Sequence, residues 1–296
     1  MEKYFSRFVV LITLFVPYLG NAQHDLNYNL FSQQQNVLNG SLSLMDPNGG
    51  AALLGSLKWI GLDGAPRAYT GNAHVGIKSL GMVAGVQFRQ SSIGVIRDQE
   101  FGAYIASGVR LSEDEHLALS VGGAVLMYAG NLHQLDGTDP SYSEDIRSNQ
   151  GMISLGTSYF REDRYYVGLA IPRFTFNKKN DDFSYDFART YNVMGGILFP
   201  IDEEFHIRPS FLVTYVEDMD PSFHINTIAF FAQKFGLGIG VQNRGDLAGL
   251  LQFNLGNFGV GYSYQFNPSG STINQRISSN THEIGLRYRV GGMRML

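Results

Sequence analysis

The stretch from residue 258 to residue 266 alternates strictly between bulky apolar residues and small or polar ones. As a strand, one face would carry Phe258, Val260, Tyr262, Tyr264 and Phe266, and the other Gly259, Gly261, Ser263 and Gln265. A soluble sheet usually turns charged residues or Thr toward water and its bulk inward, whereas here the second face is small and polar. Lipid on one side and a polar lumen on the other produce this pattern, which therefore predicts a transmembrane β-strand.

Other segments repeat the alternation. Residues 235–242 place Phe, Leu, Ile and Val opposite three Gly and a Gln, and residues 282–290 place their charges opposite Ile284, Leu286 and Tyr288. A slip of one residue would reverse every side chain, so the pattern also fixes which face meets lipid. Alternation and turn clusters from residue 49 to residue 296 predict an all-β transmembrane antiparallel β-barrel of about 14 strands.

The predicted connections sort by position along the chain. Those after even-numbered strands are tight, whereas three of those after odd-numbered strands are long: Gly130–Gly151, Thr175–Phe187 and Asn267–Asn280. Short turns on one side and long loops on the other are typical of outer-membrane barrels, and an even strand number predicts that both termini are periplasmic. A soluble all-β fold has no reason to sort its loops in this way, which disfavours that alternative.

The N-terminus predicts a cleaved signal peptide at residues 1–22. Lys3 and Arg7 precede an apolar run too short to cross a bilayer as a helix, and small residues lead up to a cleavage site after Ala22. Residues 23–48 are too polar and too weakly alternating for a membrane strand. This segment is interpreted as a lumen plug, a periplasmic extension or a disordered leader, and its apolar residues from Phe31 to Leu42 favour something packed.

Composition narrows the function classes. With no Cys, the chain is expected to be neither a lipoprotein nor a disulfide-stapled domain, and a net charge of −4 gives no reason to expect a nucleic-acid partner. The 35 Gly, 16 Tyr and 21 Phe fit small lumen-facing positions and aromatic girdles. No Ser has an identifiable His and acid partner, and no His lies at convincing metal-ligand spacing. We therefore predict a protein that is not an enzyme, with no cofactor and no metal site.

The alternation also assigns charged residues to the lumen. These are Lys58, Arg89, Arg110, Arg208, Glu283, Arg287 and Arg289. Each basic residue would cost about 2–4 kcal/mol if it faced lipid at the midplane, so the inward assignment is strongly preferred. Arg110, Arg208, Arg287 and Arg289 would form a basic ring near the periplasmic mouth. Such a ring could bind acidic residues of the N-terminal segment such as Asp25, an anionic solute or a partner peptide.

Several short motifs carry a family resemblance. They are Phe31, Ser32 and Gln33 with Asn36, Asn39 and Gly40 shortly after; Lys58 and Trp59; Arg208, Pro209 and Ser210; Tyr262, Ser263 and Tyr264; and His282, Glu283 and Ile284. With these motifs the chain resembles the PorP/SprF family, outer-membrane barrels associated with the type IX secretion system of the Bacteroidetes. The sequence departs from the family pattern at Gln265, where an acid commonly follows the Tyr-Ser-Tyr motif.

The resemblance implies a barrel in outer-membrane lipid that works with secretion-system components and surface-displayed cargo, in some members adhesins of gliding motility. Two functions remain open: binding, export or anchoring of a type IX cargo through its C-terminal domain, and a porin or small-solute transporter. For the first, the long loops supply candidate partner-binding aromatics: Tyr142, Phe176, Phe183 and Tyr185. The same aromatics could instead belong to the outer girdle or close the loops over the lumen.

Overall fold

The computed structural model describes residues 28–135, 144–175, 188–242, 245–268 and 280–296, and the predicted signal peptide lies outside these ranges. All strands belong to one antiparallel sheet in which each strand pairs with the next along the chain. The last strand pairs with the first from Gly50, opposite Arg289, to Lys58, opposite Thr281, which closes the sheet. The predicted antiparallel barrel of 14 strands is confirmed.

The strand bounds follow the alternating segments closely. They are β1 Gly50–Lys58, β2 Arg67–Ile77, β3 Met82–Ile93, β4 Ile96–Arg110, β5 Glu115–Gly130, β6 Ile146–Arg161, β7 Tyr165–Thr175, β8 Thr190–Ile197, β9 Phe205–Val216, β10 Ser222–Phe231, β11 Phe235–Gln242, β12 Leu247–Leu255, β13 Phe258–Phe266 and β14 Thr281–Arg289. The two residues Phe199–Pro200 continue β8 beyond Leu198 and pair with the start of β9.

The helical pieces are short. They comprise one turn of α-helix at Gln35–Leu38 and 3₁₀ turns at Phe31–Gln33, Gly40–Met45, Lys78–Leu80 and Leu132–Gln134. Across the described ranges, no helix combines the length and the apolar character that crossing a membrane requires.

The two ends of the barrel differ in their connections. The turns after the even-numbered strands lie at one end, together with the start of β1 and the end of β14, and we name this end the short-turn rim. The connections after the odd-numbered strands lie at the opposite end, the long-loop rim, and include the segments 131–145, 176–189 and 267–280. The predicted sorting therefore corresponds to the two ends of the barrel: connections after even-numbered strands lie at one end and connections after odd-numbered strands at the other.

One predicted loop is partly wrong. Within the expected loop Gly130–Gly151, residues 146–151 form the start of β6, and Ile146 pairs with Gly130. Alternation did not reveal this extension because its outward residues Arg147 and Asn149 are polar. In the remaining loop, His133 Nδ1 lies 2.6 Å from an Asp145 carboxylate oxygen, and this hydrogen bond holds the pKa of the Asp145 carboxyl below its ordinary value.

The hairpins of β3 to β6 therefore rise above the rest of the barrel. β4, β5 and β6 have 15, 16 and 16 residues, whereas β11 has 8 and β12 to β14 have 9 each. The outward aromatics Phe88 and Phe101 pack at 4.9 Å between ring centroids and mark the upper limit of the apolar surface. We name the residues beyond them, 89–93, 96–100, 126–130 and 146–150, the projecting wall.

The outer surface below the projecting wall is an apolar band. Leu53, Ile239, Leu255 and Ile284 are each more than 60% exposed, whereas Ser263 on the opposite face is fully buried. Aromatic pairs border the band near the short-turn rim at Phe205–Phe231, Phe235–Phe253 and Phe258–Tyr288, and near the long-loop rim at Tyr191–Tyr215 and Tyr264–His282. Aromatic girdles on both sides of an apolar band are typical of barrels that span a membrane.

This geometry makes a depth-dependent prediction. Ile239 in the middle of β11 and Leu255 at the short-turn end of β12 are about equally exposed, at 68% and 67%. We expect Ile239→Arg to lower the free energy of unfolding in lipid by about 2–4 kcal/mol and Leu255→Arg by about 0–1 kcal/mol, because the cost of a cation falls from midplane to interface. Urea titrations of the barrel in liposomes measure both values, and equal losses would contradict the assigned band.

Candidate functional site

The interior of the barrel is filled by a segment of the same chain. Residues 28–48, which we name the inner segment, lie inside the barrel and contact inward-facing residues on strands around its circumference. Tyr28, Leu30, Phe31 and Leu42 are at most 2% exposed, and they join one apolar cluster with residues of the wall. The segment keeps its own backbone in short helical turns, so few of its polar groups depend on water.

Asn39 links the two halves of the inner segment to the wall. Its side-chain oxygen accepts from the backbone N–H of Ser41 at 3.1 Å and so begins the Gly40–Met45 turn, as capping residues do. Its amide nitrogen donates to the backbone oxygens of Thr157 at 3.0 Å and Leu169 at 3.3 Å. A cap that also bonds to β6 and β7 fixes the segment in both register and orientation.

Further polar contacts surround the inner segment. They include Asn72 to Gln34 at 2.9 Å, Ser41 to Ser158 at 2.8 Å, Asn192 to the Leu38 carbonyl at 3.2 Å, Asn226 to the Asn29 carbonyl at 2.6 Å and Gln242 to the Asn29 side chain at 2.8 Å. Side chains that are buried and polar are stabilising only when paired in this way. The contacts reach from β2 around to β11, so the segment fills the lumen at this level.

Glu283 on β14 receives the start of the inner segment. Its carboxylate accepts the backbone N–H groups of Asn29 at 3.1 Å and Leu30 at 3.0 Å, and the Ser263 hydroxyl at 3.1 Å. Glu283 is 1% exposed. The two amides precede the Phe31–Gln33 turn and have no partner within it, so the carboxylate completes their hydrogen bonding where water is excluded.

The small residues of the lumen face are explained by this docking. A Cβ atom at Gly261 or Gly285 would overlap the Gln33 amide, and one at Gly156 would overlap the Asn39 side chain. The alternation of bulk with Gly that identifies the strands in the sequence therefore also marks where the inner segment touches the wall.

Two arginines bind the end of the inner segment. Arg287 Nη2 lies 2.8 Å from an Asp46 carboxylate oxygen, and Arg289 forms an ion pair with the other oxygen. Asp46 is 7% exposed, and Arg289 also donates to the Met45 carbonyl at 3.1 Å. The predicted acidic partner Asp25 lies outside the described residues; the acid found between the arginines is Asp46, which the sequence presents as an ordinary turn residue before β1.

Arg208 joins the inner segment to the tail that follows β14. Its guanidinium donates to Ser32 Oγ at 3.0 Å and to the Met295 carbonyl, and it stacks on the Phe230 ring at 5.0 Å. Met295 and Leu296 are buried in the same apolar cluster as Phe31. The tail therefore covers the inner segment from the short-turn rim, a contact that alternation could not predict.

The other predicted lumen charges are Arg89, Lys58 and Arg110. Arg89 is buried on the β3 wall, 4.0 Å from the Glu100 carboxylate, which also pairs with Arg173 at 2.9 Å. Lys58 is half-buried at the long-loop end of β1. Arg110 differs from the expectation of a lumen ring: it is exposed and donates to the backbone carbonyls of its own turn, at 3.0 Å to Ser112 and 2.8 Å to Glu113.

The predicted partner-binding aromatics Tyr142, Phe176, Phe183 and Tyr185 all lie outside the described residues. Within the described ranges, no group of three or more His, Asp or Glu side chains is placed to hold a metal ion.

Comparison with solved structures gives matches of low sequence identity. Similar solved structures include Acinetobacter baumannii outer membrane protein Omp33, with 10% identity, a TM-score of 0.47 and 83% of this chain and 99% of that chain covered. A Pseudomonas aeruginosa FadL homologue shows 9% identity, a TM-score of 0.48 and coverage of 86% and 93%. No relative was found among curated proteins.

The family comparison covers most of the chain. Residues 20–288 match the family described as type IX secretion system membrane protein PorP/SprF, so the resemblance seen in the short motifs is confirmed. Four residues from three of those motifs, namely Phe31, Asn39, Arg208 and Glu283, belong to the contact between the inner segment and the wall. The chain therefore belongs to the PorP/SprF family of type IX secretion system membrane proteins and is an integral outer-membrane β-barrel.

Proposed function

We propose that this barrel binds a type IX secretion cargo through the cargo's C-terminal domain and helps to export it or anchor it at the cell surface. The observation that carries the proposal is the occupied lumen. The inner segment is held by Glu283, Arg208 and the Asp46 ion pairs, and the tail covers it from the short-turn rim. A barrel filled in this way is suited to present surfaces to partners rather than to conduct solutes.

The proposed orientation follows from the rims. Both termini and the tight turns are periplasmic, and the long-loop rim faces the outside of the cell. On this rim, Tyr142, Phe176, Phe183 and Tyr185 are proposed as partner-binding aromatics, because aromatic anchors on a rigid scaffold dominate many protein interfaces. Other components of the secretion system are proposed to meet the barrel at the periplasmic side.

The test is made in a strain that carries only one version of the barrel. Replacing residues 136–143, 176–187 and 269–279 by short turns should leave a heat-modifiable barrel in the outer membrane while releasing cargo from the cell surface. Cargo is followed by surface labelling and by copurification with the barrel in mild detergent. If surface display of every type IX cargo is unchanged, the proposed function is wrong and a solute channel becomes the better hypothesis.

A further inference from the structure

The inner face of the projecting wall carries two rows of side chains toward the long-loop rim. Strand pairing places Arg89, Glu100, Leu126 and Gln150 in one row and Ser91, Asp98, Tyr128 and Ser148 in the next, closer to the long-loop rim. Neighbouring rows on one face lie about 6–7 Å apart along a strand. The two rows therefore form one continuous surface above the lumen.

Three polar atoms of these rows are buried without a hydrogen-bond partner. They are Arg89 Nε, Asp98 Oδ1 and Gln150 Oε1. Arg89 is 8% exposed, and its contact with Glu100 is an ion pair at 4.0 Å, beyond hydrogen-bond distance. Glu100 itself is held more closely by Arg173, whose Nε lies 2.9 Å from it. Buried groups left unpaired are uncommon in native proteins, so one donor and two acceptors on one surface call for a physical account.

Beside these atoms lies an apolar cluster separate from the main one. Leu126, Tyr128 and Met152 are at most 7% exposed, and Ile96 and Ile146 pack against them. The surface thus combines unmatched donors and acceptors with buried apolar side chains, whereas the outward face at the same level carries the polar residues Arg97, Arg147 and Asn149.

We infer that this inner face of the projecting wall binds an extended polypeptide segment of the type IX cargo. Each peptide unit offers both an N–H for Asp98 or Gln150 and a carbonyl for Arg89, and its side chains can pack against the partly exposed Ile96 and Ile146. An inorganic anion would be attracted by Arg89 but repelled by the carboxylates of Asp98 and Glu100. A metal cation would be repelled by the guanidinium groups of Arg89 and Arg173. Water would satisfy the polar atoms but would leave Ile96 and Ile146 partly exposed to it. The inference rests on the proposed function and locates its binding surface.

Photo-crosslinking in cells tests the inference. A benzophenone amino acid at Ser148, in the second row, should form an adduct whose cross-linked peptide maps to the C-terminal domain of a type IX cargo. The same amino acid at Asn149 provides the matched control, because that neighbouring residue is exposed on the outer face. Adducts of equal yield at both positions, or adducts at Ser148 with lipid or with the barrel itself, would overturn the inference.

A milder substitution gives an independent readout. Gln150→Leu removes the buried acceptor, and we expect about tenfold less cargo to copurify with the heat-modifiable barrel, the factor that corresponds to about 1.4 kcal/mol. Asn149→Leu should change recovery by less than about twofold. If neither Ser148 nor Gln150 affects a cargo that still copurifies with the parent barrel, the inference fails while the proposed function stands. If no cargo copurifies with the parent barrel, both fail.

Discussion

Removing residues 23–48 should convert a barrel that carries almost no steady current into a conducting one in planar bilayers. The physical reason is that the inner segment fills the lumen between Glu283, toward the long-loop rim, and Arg208, toward the short-turn rim, and bonds to the wall at both. Without it, the lumen would be lined by polar and charged side chains such as Arg208 and Glu283 together with apolar side chains of the wall such as Ile228, and water could enter it. Large steady conductance from the chain that retains residues 23–48 would contradict the plug and would favour a porin.

A point substitution can open the same pathway while the segment is still attached. A leucine at Gly285 would collide with the Gln33 amide, so Gly285→Leu should displace this part of the inner segment and raise the current. Gly249 on the outer face has open space, with no atom within 4 Å of the position that a Cβ would occupy. Gly249→Leu therefore supplies the matched control and should stay silent. Equal currents from both variants would show that the Gln33 contact does not close the lumen.

Asp46→Leu should loosen the inner segment more than any other single substitution within it. The variant leaves Arg287 and Arg289 without the carboxylate between them, and removing one partner of a buried ion pair costs about 3–5 kcal/mol. Hydrogen exchange at the backbone amides of Asn29 and Leu30 reports the docking, because both donate to Glu283. We expect their exchange to accelerate by about a hundredfold or more.

Two further variants identify the cause. Asp46→Leu combined with Arg289→Leu should recover part of the protection, because one of the uncompensated buried charges is then removed. Glu203→Ala, in an exposed turn of the short-turn rim, should leave the exchange rates within about twofold of the parent. Unchanged protection in the Asp46 single variant would show that these ion pairs do not hold the segment.

The barrel could be predicted from the sequence because lipid and lumen impose opposite demands on successive residues. Strands such as β13, from Phe258 to Phe266, were predicted with their observed bounds. The start of β6 was missed because residues 146–151 rise beyond the apolar band, where outward positions such as Arg147 and Asn149 no longer need to be apolar. Alternation therefore finds strands only where the membrane supplies the contrast.

The interior was harder to read because its contacts join distant residues. Nothing near Asp46 in the sequence distinguishes it from a turn residue, and its role appears only when closure of the barrel brings β14 alongside β1. The same holds for Met295, which Arg208 binds from β9. The glycines opposite Gln33 were a usable signal: their abundance on the lumen face indicates that something packs closely against it.

The contact between Asn29 and Glu283 spans 254 positions of the chain, and that between Met45 and Arg289 spans 244. Contacts of such sequence separation form late, since the loop entropy must be overcome first. The carboxylate that receives the first residues of the inner segment, Glu283, belongs to the last strand of the chain, which closes the sheet against β1. Protection of Asn29 from added protease would therefore report that assembly is complete, and a barrel stalled before β14 would leave this residue open to cleavage.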